Sequence, residues 1–181
     1  LTSRIRRALG DLQRNYEEVR QYAAPITLDR TDVDVAQAVR AAFEDLGAEF
    51  NARDVTLNVE ERGDCLAKVD PHRMGQVFRN LLENAIAAAA GPIRIDVEID
   101  KVTTPQGEEV KCAIRDDGQG MDTETLTRVF EPFYTTKQSG TGLGMAICKR
   151  IVDAHGGSIQ ADSTPSLGTQ IIVTIPLEAS S

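Results

Sequence analysis

Asn80 and Asn84 stand four residues apart in Arg79-Asn80-Leu81-Leu82-Glu83-Asn84-Ala85, a spacing that puts two neutral carboxamides on one face of a helix. A carboxamide oxygen can ligate Mg²⁺ without adding negative charge beside a polyphosphate, which suits a metal held mainly by its substrate's phosphates. The same pair can also make ordinary helix-surface hydrogen bonds. A second group, Asp116-Asp117-Gly118-Gln119-Gly120, follows the alternating stretch Val110, Cys112, Ile114. Asp116 can accept from the exocyclic amino group of adenine, and Gly118 and Gly120 let backbone approach a flat base closely. The alternative is a plain Asp-Gly turn. A third group, Gly140-Thr141-Gly142-Leu143-Gly144, opens a helical stretch through Met145, Ile147 and Ile151. Backbone N–H groups at such a helix start form an anion site. Its spacing is not GxxxxGK[ST] and no long parallel βαβ unit precedes it, which disfavours Walker and Rossmann readings. Just upstream, Phe130-Glu131-Pro132-Phe133-Tyr134-Thr135-Thr136-Lys137 offers two apolar anchors, two hydroxyls and a cation, the make-up of a hinged lid over phosphates. The phenylalanines can equally pack a core, and Lys137 can be a solvated loop charge.

These residues need a scaffold, and the hydrophobic periodicity supplies one. Leu1, Ile5, Ala8, Leu12, Tyr16, Val19 and Ala23 recur at spacings of three and four, predicting one amphipathic helix over residues 1–24 that stops before Pro25. One such stripe requires a partner helix, from elsewhere in the chain or from a second copy, or else packing on the domain that follows. Residues 25–32 are expected to be a hinge. A helix over Val33–Phe50 and a strand over Asp54–Glu60 come next. Asp70-Pro71 caps and opens a helix reaching Ala90. Strands Ile93–Val102 and Val110–Arg115 form a hairpin through Thr103-Thr104-Pro105-Gln106-Gly107. Leu143–Ala154 is helical, and Ser158–Ala161 and Gln170–Ile175 are strands. This irregular alternation predicts an α+β fold, a two-layer α/β sandwich whose mixed sheet carries its helices on one face.

Length and charge narrow the function. At 181 residues the chain can hold one domain plus a short extra element. With 20 Lys and Arg against 28 Asp and Glu, its formal charge of −8 argues against nucleic-acid binding as a main task. Cys65, Cys112 and Cys148 lack zinc or disulfide spacing, which suits a reducing cytosol and a cytoplasmic location. There is no apolar run of about 20 residues and no signal-peptide stretch at Leu1. Because the chain begins with Leu inside a helical pattern, it is expected to be part of something longer.

In their order, these segments resemble the nucleotide-binding domain of two-component sensor histidine kinases, within the superfamily shared with gyrase, a heat-shock chaperone and the MutL mismatch-repair proteins. Residues 79–85 look like the N box, 116–120 the first glycine box, 130–133 the F box and 140–144 the second glycine box. His155-Gly156-Gly157 and Gly168-Thr169, with the strand ending at Pro176, also fall where that family has them, so the likeness spans about residues 29–177. The Thr135-Thr136-Lys137 lid and the His-Gly-Gly end look most like the nitrogen-regulation type.

The resemblance implies a Bergerat-type fold over residues 33–177, with 178–181 as a tail and ATP and Mg²⁺ as ligands. It implies Asn84 as the metal ligand, with Asn80 beside it for metal and phosphate. Asp116 would take the adenine amino group, with Gly118 and Gly120 against the base and Thr169 assisting through water. Thr136, Lys137, Gly140, Thr141, Gly142, Leu143 and Gly144 would contact the phosphates. Asn80, Asn84 and Lys137 would form the catalytic set. Hydrolytic relatives place a Glu four residues before the metal Asn; here Asn80 stands there, favouring phosphoryl transfer, in which positioning and charge neutralisation matter most. Glu83 can polarise a nearby group or simply face solvent.

Departures from the pattern are equally visible. Ala85-Ile86-Ala87-Ala88-Ala89 follows the metal Asn where relatives place a lysine or tyrosine, so phosphate contact leans on the lid. Ser166 stands where a glycine usually lies two before Gly168, which questions that loop's approach to the nucleotide. Neither His72 nor His155 sits in an acceptor context. Residues 1–24 instead resemble the second helix of a dimerisation hairpin, which places the acceptor His outside the sequence. Expected partners are that acceptor helix, in cis or trans, a response regulator, and a second copy in the full-length protein. Two other classes remain: a regulatory ATP-binding module without transfer activity, and a hydrolytic ATPase of the superfamily.

Overall fold

Alternating side chains set the sheet. In the computed structural model, which describes residues 12–13, 16–20, 22–50, 54–105, 107–137 and 140–177, the strands are β1 (Thr31–Asp34), β2 (Val55–Arg62), β3 (Leu66–Val69), β4 (Ile93–Thr104), β5 (Gly107–Asp116), β6 (Ser158–Thr164) and β7 (Gly168–Pro176). Five of them form one mixed sheet in the order β2-β4-β5-β7-β6, where β2 runs parallel to β4 and the other neighbours are antiparallel. Every second residue is buried: Ile93, Ile95, Val97 and Ile99 on β4; Val110, Cys112 and Ile114 on β5; Ile171, Val173 and Ile175 on β7. The alternate residues Arg94, Glu98 and Arg115 are exposed.

The buried face receives the apolar stripes of helices α1 (Val35–Phe50), α2 (Pro71–Ala87) and α4 (Gly144–Ala154). Met74, Val77, Phe78, Leu81, Leu82 and Ile86 of α2 are all buried. A fully buried side chain of this size contributes about 1.5–3 kcal/mol of transfer free energy. The expected two-layer α+β sandwich with a mixed sheet is therefore the fold, and the inward stripe of α2 leaves Asn80 and Asn84 half-buried at its margin.

Several boundaries differ from the sequence reading. The first helix begins at Val35, not Val33, because Thr31–Asp34 pairs antiparallel with Leu66–Val69 in a second, two-stranded sheet. Asp34 ends that strand and accepts from the Gln37 N–H at 2.9 Å, so its carboxylate starts the helix. The expected hinge thus loses its last two residues to β1; residues 25–30 have no regular structure. Helix α2 stops at Ala87 instead of Ala90, and the Ala88 carbonyl accepts from Gln119 N–H at 3.0 Å. A short helix, α3 (Thr123–Arg128), was not expected; Asp122 caps it through Thr125 N–H at 2.8 Å. Within the N-terminal helix, helical residues are described between Leu12 and Ala23, and Leu12, Tyr16 and Val19 are exposed. Leu1, Ile5 and Ala8 of its stripe and the tail 178–181 lie outside the described residues.

One buried imidazole joins two helices. His155, 2% exposed, donates from Nδ1 to the Ile151 carbonyl at 2.7 Å and accepts the Asp70 N–H at Nε2 at 3.0 Å. Asp70 is itself the α2 cap, its carboxylate accepting from Arg73 N–H and Asp29 N–H, both at 2.9 Å. Burial alone would raise the Asp70 pKa, yet these bonds and one from His72 N–H hold it below the ordinary value. Burial disfavours the charged ring and pushes the His155 pKa down, and protonating Nε2 would set a second donor against the Asp70 N–H. A histidine whose native pKa is lowered contributes fully above its unfolded value and loses that contribution as pH falls below about 6.5. The unfolding free energy from urea titrations should therefore drop between pH 7 and pH 5.5, by at most about 1.4 kcal/mol per pH unit. His155→Gln should flatten that pH dependence while costing about 1–3 kcal/mol at pH 7 for the unsatisfied group.

Cys65, Cys112 and Cys148 are buried free thiols, and burial raises Cys112 and Cys148 to about 12, so both stay protonated at neutral pH.

Candidate functional site

The margin of α2, the end of β5, the start of β7 and the loop before α4 enclose a cavity of about 530 Å³. Of the residues singled out by sequence, Asn80, Asn84, Asp116, Gly120, Thr136, Lys137, Thr141, Gly142, Gly144 and Thr169 line it. Gly118, Gly140 and Leu143 do not. Leu143 is fully buried beneath the loop. Gly118 packs under Ala88, where a Cβ would stand 2.5 Å from the Ala88 Cβ, and Gly140 lies beside the Thr135 hydroxyl.

Asp116 closes one end. It sits opposite Thr169 across β5 and β7, is 6% exposed, and accepts from Gly118 N–H at 2.9 Å. Burial raises its pKa, a shift opposed by the N–H groups of Gly118 and Thr169. The cavity thus presents a desolvated carboxylate with remaining acceptor capacity, beside apolar Leu81, Ile114, Met121 and Ile171. A flat heterocycle bearing an amino group fits that combination.

Ser163, overlooked in the sequence, organises the neighbouring turn. Its hydroxyl accepts from Met121 N–H at 2.8 Å, donates to the Gly168 carbonyl at 2.9 Å, and lies 2.9 Å from the Thr169 hydroxyl. Only its place in a short polar strand could have flagged it. Ser166, where the family pattern has glycine, adopts φ 66° and donates its N–H to the Gln119 carbonyl at 2.7 Å. The serine therefore takes up the left-handed conformation a glycine would supply, and the loop keeps its path.

The opposite end is built for anions. Helix α4 has no side-chain cap, and Leu143 N–H donates to the Thr141 hydroxyl at 3.3 Å. Uncapped first-turn N–H groups and the helix dipole favour negative charge there. Asn80 Nδ2 donates to the Gly144 carbonyl at 3.3 Å, tying α2 to this helix start. Phe133 N–H donates to the Gly142 carbonyl at 3.0 Å, clasping the lid at its base. Above it Lys137 Nζ donates to Asn84 Oδ1 at 2.7 Å. The N-terminal helix and the bend after it reach the loop, the lid base and α4 in turn: Glu18 accepts from the Thr141 hydroxyl, Tyr22 meets Phe133 edge to face at 6.3 Å between centroids, and Arg150 of α4 donates to the Ala24 carbonyl at 3.2 Å. Glu18 and Tyr22 were not singled out, because a helix surface gives no hint of which loop it will touch.

Among the described residues no cluster of three or more His, Cys, Asp or Glu side chains could hold a metal ion. Asn84 Oδ1 does hold a cation, the Lys137 ammonium, and so suits a divalent ion whose other ligands come from phosphate and water.

The signature of the histidine kinase-, DNA gyrase B- and HSP90-like ATPases matches residues 69–179, the span that contains α2, the cavity and the lid. This chain belongs to that ATPase family. Membership in an ATPase family implies ATP as a ligand of the domain. The chain is 30% identical over 167 residues, 92% of its length, to the sensor histidine kinase ZraS of Klebsiella oxytoca, of which it spans 36%. It is 34% identical over 137 residues, 72% of its length, to the sensor protein kinase WalK of Staphylococcus aureus, of which it spans 32%. The catalytic domain of the histidine kinase ThkA superposes with a TM-score of 0.72 at 28% identity, covering 82% of this chain and 96% of that one. A structure of ThkA in complex with its response regulator TrrA matches with a TM-score of 0.79 at 25% identity, over 96% of this chain and 49% of that one. The chain thus spans about a third of the curated relatives it matches. No helix among the described residues of this ATPase-family chain is long and apolar enough to cross a membrane.

Proposed function

We propose that this chain is the ATP-binding catalytic part of a sensor histidine kinase. It would transfer the γ-phosphoryl group of ATP to a histidine outside this sequence, for relay to a response regulator. The observation that bears most weight is Asn80, the carboxamide that stands where hydrolytic relatives carry Glu and is tied to Gly144 at 3.3 Å. A carboxamide cannot take a proton from water, so the site favours a nucleophile that needs no such base.

In the reaction an acceptor imidazole nitrogen forms a bond to the γ-phosphorus as the bond to the β,γ-bridging oxygen breaks, and ADP leaves. Asp116 orients the adenine, and Gly120 with Thr169 borders it. Thr136, Lys137, Thr141 and the α4 start position the phosphates, and Asn84, with Asn80 at its side, would hold Mg²⁺. Bound Mg²⁺ would neutralise charge on the transferring group. The N-terminal helix, with Leu12, Tyr16 and Val19 exposed, is proposed as one helix of a dimerisation hairpin joined through a hinge at residues 25–30. The Thr135-Thr136-Lys137 lid and His155-Gly156-Gly157 support a nitrogen-regulation-type member.

A separately made acceptor helix, mixed with this chain and γ-labelled ATP, should become labelled, and Asn84→Ala should lower labelling about 100-fold or more through lost positioning and charge neutralisation. Tight ATP binding without labelling would instead identify a regulatory module. Steady phosphate release without acceptor would identify a hydrolase.

A further inference from the structure

Although one end of the cavity has an anion-suited helix start, its lining side chains are mostly acidic where charged. Glu18, Glu83, Asp116 and Asp122 line it, and Lys137 is the one cationic side chain among its described lining residues. Partial burial lowers the Lys137 pKa, and Glu83, itself paired with Arg79 at 2.9 Å across one helical turn, partly opposes that shift. Lys137 is turned onto Asn84, its ammonium 2.7 Å from the same oxygen that a metal would need.

One carboxamide oxygen cannot serve both. A Mg²⁺ ion binds oxygen at about 2.0–2.1 Å, and an ammonium held on that same oxygen puts a second positive charge within a few ångströms of the ion and repels it. Resting on the proposed nucleotide site, we infer that Lys137 and Mg²⁺ are alternative occupants of Asn84. The empty protein parks its lid lysine on the carboxamide, and a metal–nucleotide complex displaces it toward the phosphates. Lys137 is then a positioning residue whose availability depends on the metal. Metal-free nucleotide meets a lysine that is engaged elsewhere, so the site selects for nucleotide that arrives with its metal. Two outward features favour the exchange: Lys137 is exposed enough to swing, and Thr135 accepts its backbone N–H at 3.1 Å, giving the swing a fixed pivot.

A double-mutant cycle tests this on binding alone. A fluorescent ATP analogue is titrated into the unsubstituted chain, Asn84→Ala, Lys137→Met and the double variant, in chelator and again with Mg²⁺. In chelator, Asn84→Ala should bind about two- to fivefold more tightly than the unsubstituted chain, because it frees Lys137 for the phosphates. The gain should vanish in the Lys137→Met background. With Mg²⁺, Asn84→Ala should bind more weakly. No gain in chelator, a loss there, or a gain that survives Lys137→Met would overturn the exchange. Failure of the unsubstituted chain to bind the analogue in either condition would defeat the nucleotide reading itself. Coincident urea unfolding of the four proteins shows that the comparison concerns the site.

Discussion

Asp116→Asn should weaken ATP binding about ten- to hundredfold while leaving the unfolding free energy within about 1 kcal/mol of the parent. The substitution keeps the shape and keeps one oxygen for Gly118 N–H, the bond seen at 2.9 Å. It replaces the other oxygen with an NH₂, and a donor then faces the adenine amino donor. At 6% exposure water has little room to relieve that conflict. Competition between ATP and GTP for the fluorescent analogue would show the change as lost discrimination. Unchanged ATP affinity would remove Asp116 from the base site.

Gly168→Ala is expected to have the largest effect on stability, a loss of about 3 kcal/mol or more. Gly168 adopts φ 89°, and a Cβ there would stand 1.9 Å from the Asp116 carbonyl oxygen and 2.9 Å from its carbonyl carbon. Backbone cannot yield as a flexible side chain would, so β5 and β7 must part where Asp116 and Thr169 face each other. Unfolding and nucleotide affinity should therefore fail together. Gly75, inside α2 with nothing within 4 Å of its added Cβ, is the contrast. Gly75→Ala should stabilise by about 0.5–1 kcal/mol. A Gly168→Ala protein as stable as the parent would show that the strands are freer than this packing implies.

Much of the fold was legible because its helices and strands have clean periods. Leu81, Leu82, Ala85 and Ile86 fall on the buried side of α2 as their spacing requires, which leaves Asn80 and Asn84 together at its edge. Asp70-Pro71 marked the start of that helix to the residue. The pair β1 and β3 escaped because Thr31–Asp34 and Leu66–Val69 are four residues each and acquire meaning only from their pairing across the chain. Helix α3 escaped although Asp122 is a legible cap, because none of its six residues is buried and no apolar stripe announces it. Within the cavity, residue types marked the two ends that we propose for the base and the phosphates, a buried carboxylate and an uncapped glycine-rich helix start. Contacts between distant segments, such as Ser163 with Thr169 or Lys137 with Asn84, were beyond reach, since hydroxyls and lysines are ordinary anywhere on a surface until the fold brings them to a partner.

The clasp between Phe133 N–H and the Gly142 carbonyl closes the lid at a narrow neck, with a left-handed residue on each side, Phe133 at φ 65° and Gly142 at φ 72°. A loop tied at its neck is modular. Because closure entropy grows only with the logarithm of length, doubling the segment between the two costs about 0.6 kcal/mol. Residues can thus be added or exchanged beyond the neck while the Asp116 wall, the carboxamide pair and the helix start keep their places, so access to the cavity and partner fit can diverge without redesign of the chemical frame.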